Sequence, residues 1–223
     1  MAEGPAAARD EVAALLSMMH RVLGREHPDT LTTRLELAKL TGEAGDAAAA
    51  RDQFAALLPV LARVLGPEHP DTLAALNELA RWTGEAGDAA GARIQFAALL
   101  PVRARILGPG HRRTLAARSS LAHWTGQAGD PQGARDEYAR LVPIYAQEFG
   151  PEHPRTLNVR ASLAAWSGAA GDSDDASNQY AALLPACERS LGPKHPDTLS
   201  IRQNLIFWTR QAGKRRRRWS RPK

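Results

Sequence analysis

Glycine and histidine recur along this chain every 42 residues without an insertion: Gly24, Gly66, Gly108, Gly150 and Gly192, then His27, His69, His111, His153 and His195. A fixed period between about 20 and 50 residues is the signature of stacked supersecondary units, each of which buries its apolar face only against its neighbours. This feature replaces the prior of one or two globular domains that 223 residues would otherwise carry.

One unit reads His69-Pro70-Asp71-Thr72-Leu73, then Leu79-Ala80, then Trp82-Thr83-Gly84-Glu85-Ala86-Gly87-Asp88. It continues through Ala92, Phe96 and Leu99-Leu100-Pro101 to Leu107-Gly108-Pro109. The pattern predicts two helices. The first starts near Asp71-Thr72, with Asp71 capping the orphan N–H groups, and ends at Gly87, which can adopt the left-handed conformation. Asp88 caps the second, which runs to Gly108 and is stopped by the Gly-Pro pair. A short turn between two helices makes them antiparallel.

Packing columns are legible across units. Leu37, Leu79, Leu121, Leu163 and Leu205 share one. Ala38, Ala80, Ala122 and Ala164 share the next, and Ala50, Ala92, Ala134 and Ala176 form a third on the second helix. Small residues on both helices let the backbones approach. Phe54, Phe96, Tyr138 and Tyr180 fill the wider gap. Trp82, Trp124, Trp166 and Trp208 recur on the first helix, with Leu40 in their place in the first unit. Stacked rows of Trp suit packing between layers better than an aromatic cage for a cation, which needs rings facing across a pocket. Pro59, Pro101, Pro143 and Pro185 lie well inside the second helices, so a bend is expected there.

These columns, with the linker Leu-Gly-Pro-Glu-His-Pro-Asp-Thr-Leu at 65–73, resemble tetratricopeptide repeats. The period and the His-Pro loop are similar to the long subtype found in kinesin light chains, and Trp-Thr-Gly-Glu-Ala-Gly-Asp at 82–88 resembles repeat arrays of actinobacterial signalling proteins. The resemblance spans about 6–213. It implies an all-α, right-handed superhelical solenoid of antiparallel helix pairs, with an inner groove lined by the first helices. Arg34, Arg118, Arg160 and Arg202 stand where the kinesin-type Leu-Asn-Asn-Leu-Ala motif has its first leucine; Leu76-Asn77-Glu78-Leu79-Ala80 keeps it.

The expected organisation is a lone second-type helix in the half repeat 6–24, full repeats at 27–66, 69–108, 111–150 and 153–192, and a final first-type helix at 197–212. That makes ten helices. Residues 214–223 form a basic tail, expected to be disordered.

Charge is unevenly placed. Lys214, Arg215, Arg216, Arg217, Arg218, Arg221 and Lys223 fall in the last ten positions with no acid among them. Such a tail can neutralise phosphates, and Trp219 can stack on a base; a solubilising end is the plainer account. The single cysteine, Cys187, excludes an intramolecular disulfide and fits a cytoplasmic setting. The most apolar stretch, 54–65, is interrupted by Pro59 and Arg63, so no membrane span is expected.

The pattern carries no chemistry of catalysis. A Walker loop, His-Glu-x-x-His, Gly-x-Ser-x-Gly and Cys-x-x-Cys are all missing from the sequence. No cofactor or metal site is expected: equivalent histidines one unit apart sit roughly 20 Å apart, given helices packed about 8–10 Å from one another, and zinc holds its ligands at about 2.1 Å. The expectation is therefore not an enzyme but a scaffold whose groove binds a protein or peptide. Candidate groove residues are the variable positions of the first helices: Leu35, Lys39, Asn77, Arg81, Ser119, His123, Gln203 and Phe207. Two other readings stand beside it: nucleic-acid or anionic-surface binding through the tail, and the sensor array of a larger signalling ATPase. In the final helix Ile206 stands where complete units have alanine, flanked by Phe207 and Trp208, which suggests a weak homodimer through that helix.

Overall fold

The computed structural model describes residues 4–219, with side chains up to Arg215. Ten α-helices and no strand occur among the described residues: α1 (Pro5–Val22), α2 (Pro28–Glu43), α3 (Ala47–Val64), α4 (Pro70–Glu85), α5 (Ala89–Leu107), α6 (Arg112–Gln127), α7 (Pro131–Phe149), α8 (Pro154–Ala169), α9 (Ser173–Ser190) and α10 (Pro196–Trp219). The chain divides into two compact units, Met1–Leu121 and Ala122–Lys223, with the division inside α6.

In the first unit each helix packs on the next, from α1 to α5, and α2 also touches α4. Its core joins Leu31 and Ala38 of α2, Ala50, Phe54, Leu57 and Leu61 of α3, and Ala75 and Trp82 of α4. The second unit repeats the scheme from α7 to α10, with α8 touching α10. There Leu157, Ala164, Tyr180, Leu183, Cys187 and Ile201 form the core. Each large side chain removed from water in this way contributes roughly 1.5–3 kcal/mol. The alanine columns are fully buried, as close helix approach demands. Burial pushes the Tyr138 and Tyr180 hydroxyls up to about 12.

The helix ends follow the expected punctuation with one correction. Asp46, Asp88, Asp130 and Asp172 cap the second-type helices, each accepting from the backbone N–H three residues on. Gly45, Gly87, Gly129 and Gly171, just before them, hold φ near +100°. The sequence places the cap of the first-type helix at Asp71, but the structure gives it to His69. The His69 Nδ1 accepts from the Asp71 N–H at 3.2 Å, and Pro70 occupies the first helical position. His27, His111, His153 and His195 do the same at 3.1–3.3 Å. The recurring histidines are thus caps. At His27, His69, His153 and His195 the next residue is proline, which supplies the helical φ and has no N–H to satisfy, so the imidazole serves the next donor; His111 does the same with Arg112 in that place.

The interior prolines stay within their helices. α10 runs past the expected end at 212 to Trp219. Its Gly213 does not take the positive φ that its counterpart Gly171 has, and the Lys/Arg run that follows is made of good helix formers.

Candidate functional site

In the first unit the exposed faces of α2 and α4 flank a cavity of about 410 Å³. Its apolar wall comes from Val12 and Leu15 of α1, Leu35 of α2, Phe54 of α3, and Ala74 and Ala75 of α4. Glu36, Lys39 and Glu78 stand among its lining residues as the charged members. The hollow follows from the sequence: α1 carries Val12 at the position filled by Phe54 and Phe96 in the units after it. A phenyl ring is missing there.

The candidate groove residues of this unit are held by local partners. Lys39 lies between Glu36 and Glu43, at 3.7 and 3.8 Å. The Arg81 guanidinium donates to Glu78 at 2.7 Å and lies 3.8 Å over the Trp82 ring. Both cations are partly exposed, so each presents a paired charge. Asn77 has a second duty. Its side-chain oxygen accepts from the buried Arg103 guanidinium at 3.0 Å, and Arg103 also donates to the carbonyls of Leu73 and Arg113. Burial holds the Arg103 pKa below the usual arginine value, with Arg113 nearby adding to the effect. Leu35 lines the cavity, and Ser119 lies half-buried on α6.

The Asn77–Arg103 contact could have been found in the sequence. Residues one helix apart vary together: Leu35 with Leu61, Asn77 with Arg103, Ser119 with Tyr145, Ala161 with Cys187. Asn77 with Arg103 is the pair that carries a charge. In the second unit Ala161 and Cys187 line the same small cavity of about 160 Å³.

Further candidates lie in the second unit. His123 sets its ring against Trp124 and Trp166, with centroids 4.9 and 6.0 Å apart. Gln203 and Phe207 of α10 are exposed, and Phe207 meets Trp208 edge to face at 4.9 Å. Of the basic stretch, Lys214 and Arg215 are exposed on α10, and Arg215 donates to the Gly171 carbonyl. Arg216, Arg217 and Arg218 continue the helix, with side chains outside the described residues, as are Arg221 and Lys223 altogether. Among the described residues no three His, Cys, Asp or Glu side chains converge, and no helix is long and apolar enough to cross a membrane.

Trp82, Trp166 and Trp208 pack as layer contacts. Each indole lies on a glycine of the preceding first-type helix, Gly42, Gly126 and Gly168 respectively. That glycine column was not recognised in the sequence, although it repeats as Thr/Ser-Gly in every unit.

Comparison with solved structures gives the same architecture. The nearly identical TPR-like repeats of a Podosopora anserina kinesin light chain candidate share 26% identity, with 86% of this chain and 90% of that chain covered and a TM-score of 0.72. The BtubC (BKLC) protein of P. vanneervenii shares 18%, over 95% of this chain and 85% of that one, with a TM-score of 0.75. MamA shares 14%, over 82% and 92%, with a TM-score of 0.55. None of the curated proteins matches the chain. The tetratricopeptide-repeat model matches four consecutive windows, residues 30–71, 72–113, 114–155 and 156–197, so the chain belongs to the tetratricopeptide repeat family.

Proposed function

We propose that this chain is a protein-interaction scaffold, the general role that its tetratricopeptide repeats support. We propose that this chain binds a protein partner through an extended peptide laid along the first-type helices of its first unit. The cavity of about 410 Å³ carries this reading. It lies in the size range of ligand pockets, and its mostly apolar wall suits one aliphatic or thioether side chain. Glu36, Lys39 and Glu78 line it, and Lys39 pairs with Glu36 and Arg81 with Glu78, which favours a peptide with polar residues flanking one apolar anchor.

Peptide-library selection followed by titration calorimetry tests the reading. Enriched peptides are expected to share one apolar anchor. Ala74→Phe, which fills the cavity from an exposed position, should weaken their binding at least about tenfold. Lys39→Glu combined with Arg81→Glu should weaken it as well, with helicity unchanged. Unaltered affinity in both variants would place the site elsewhere.

A second reading rests on α10. Its helix carries the acid-free run Lys214–Arg218 as a continuous basic extension, a form that suits a polyanion backbone. A nucleic acid titrated with the intact chain and with a chain ending at Gly213 tests it.

A further inference from the structure

The two terminal helices are the two halves of one repeat. α1 aligns with the second-type helices residue for residue: Ala7-Ala8-Arg9-Asp10-Glu11-Val12-Ala13-Ala14-Leu15-Leu16 stands against Ala49-Ala50-Arg51-Asp52-Gln53-Phe54-Ala55-Ala56-Leu57-Leu58. No first-type helix precedes it in the described residues. α10 is a first-type helix, and no second-type helix follows it there.

Part of their exposure falls on the matching faces. Leu15 is 46% exposed, whereas its counterpart Leu57 is 2% exposed. Leu199 of α10 is 41% exposed against 1% for Leu31, and Ile206 is 47% exposed against 0% for Ala38. Leu31, Ala38 and Leu57 lie in one core in a complete unit. Leu15 of α1 therefore occupies a position that a first-type helix covers, and Leu199 and Ile206 of α10 occupy positions that a second-type helix covers.

The substitutions at these ends fit each other. α10 has Ile206 where complete units have alanine, and α1 has Val12 where they have Phe or Tyr. Bringing the two together exchanges a methyl group and an aromatic ring for two branched aliphatic chains of similar summed size, the kind of swap cores tolerate. A polar contact carries over too. Complete units join the two helices through Gln53 with Thr41, Gln95 with Thr83 and Gln179 with Ser167. The corresponding pair is Glu11 with Thr209.

We infer that the partner of each end is a second copy of this chain, with α10 of one copy docking on α1 of the next to complete a repeat. The interface is heterologous, so it leaves one free end of each kind and propagates beyond two copies. It differs from a symmetric contact between two α10 helices. Phe207 is outside it, because its column faces the groove with Lys39 and Arg81.

One contact opposes the association. Complete units pair Arg63 with Glu26, Arg105 with Glu68 and Arg189 with Glu152. At the seam the same positions bring Arg21 against Lys194. This like-charge contact, on the surface and screened by salt, makes assembly tighten as ionic strength rises.

Sedimentation velocity over a concentration series tests the inference on the full chain, with circular dichroism as the check on folding. Wild-type protein is expected to form a concentration-dependent series of species. Ala8→Arg on α1 and Ile206→Glu on α10 should each weaken it at least about a hundredfold, since each puts a charge into a dry seam. Mixing the two variants should restore a one-to-one dimer, because one keeps an intact α10 and the other an intact α1. Lys194→Glu should strengthen assembly a few-fold. Glu11→Cys chains mixed with Thr209→Cys chains should be joined by a short bismaleimide, Cys187 being buried. A monomeric wild type throughout the series overturns the inference. So does an Ala8→Arg chain that assembles like wild type while Ile206→Glu does not, the result a symmetric α10 contact gives.

Discussion

The indole of Trp82 lies flat against Gly42 of the preceding first-type helix, so close that a Cβ added at Gly42 would fall 2.4 Å from the ring. The pair sets how near α2 and α4 approach. Gly42 is helical, where alanine is intrinsically favoured by about 1 kcal/mol. Overpacking a close contact costs about 1–3 kcal/mol, and neither backbone nor a buried indole yields easily. Gly42→Ala is therefore expected to destabilise the chain by up to about 2 kcal/mol in urea unfolding, against the helix propensity. Trp82→Leu, which copies Leu40, should remove most of the penalty when combined with it. An alanine that stabilises the chain would show that the layer spacing is soft.

The histidine column has a capping role that yields a separate test. His69 Nδ1 accepts from the Asp71 N–H, and nothing else caps α4. His69→Ala is expected to cost about 0.5–2 kcal/mol, the usual range for removing a cap. His69→Asn retains an acceptor on a short side chain and should restore much of the loss. Equal stability of the alanine and wild-type chains would deny the cap its role.

Fold and period were legible in the sequence because each column is written four or five times. The alternation of capped helices, the alanine columns at Ala38 and Ala50 and the aromatic column at Phe54 all stand where the repeat puts them. The cap at His69 was misread because Asp71 is the stronger capping residue by type; with proline at the first helical position, the side chain that reaches the next N–H is that of His69. The groove was legible only as variability. Sequence alone does not separate a position that varies for recognition from one that varies with a packing partner, and Asn77 has such a partner in Arg103. The cavity arises from something missing, the ring absent at Val12, and a column read for what it contains does not show it.

The basic end of α10 has a quantitative signature. If the seven Lys and Arg residues of 214–223 contact phosphates, the log–log salt dependence of binding to duplex DNA has a slope of about −6. Fluorescence anisotropy at several salt concentrations measures it. Removal of 214–223 is expected to abolish that binding and leave peptide binding unchanged. A shallow slope with the intact chain retires the reading.

The buried Arg103 offers the sharpest separation of a structural from a recognition role on the groove side of the first unit. Its guanidinium is fixed by Asn77 and two backbone carbonyls, and its Nε has no hydrogen-bond partner. Hydrogen bonds to a buried charge are worth about 1.5–3 kcal/mol each when one side is removed. Asn77→Leu alone should therefore destabilise the chain by about that amount. The unit before it shows the apolar solution, Leu35 with Leu61, and Leu61 is fully buried there. Asn77→Leu combined with Arg103→Leu should recover the loss and can exceed wild-type stability, as replacement of buried polar pairs by packed apolar ones often does. Urea unfolding of the four chains closes a double-mutant cycle, expected to give a coupling of at least about 1 kcal/mol. Additive losses would show that Asn77 stabilises through something other than Arg103. Peptide affinity measured on the double variant then reads recognition alone: a large loss with stability intact would return Asn77 to the binding face, and an unchanged affinity assigns it to the frame.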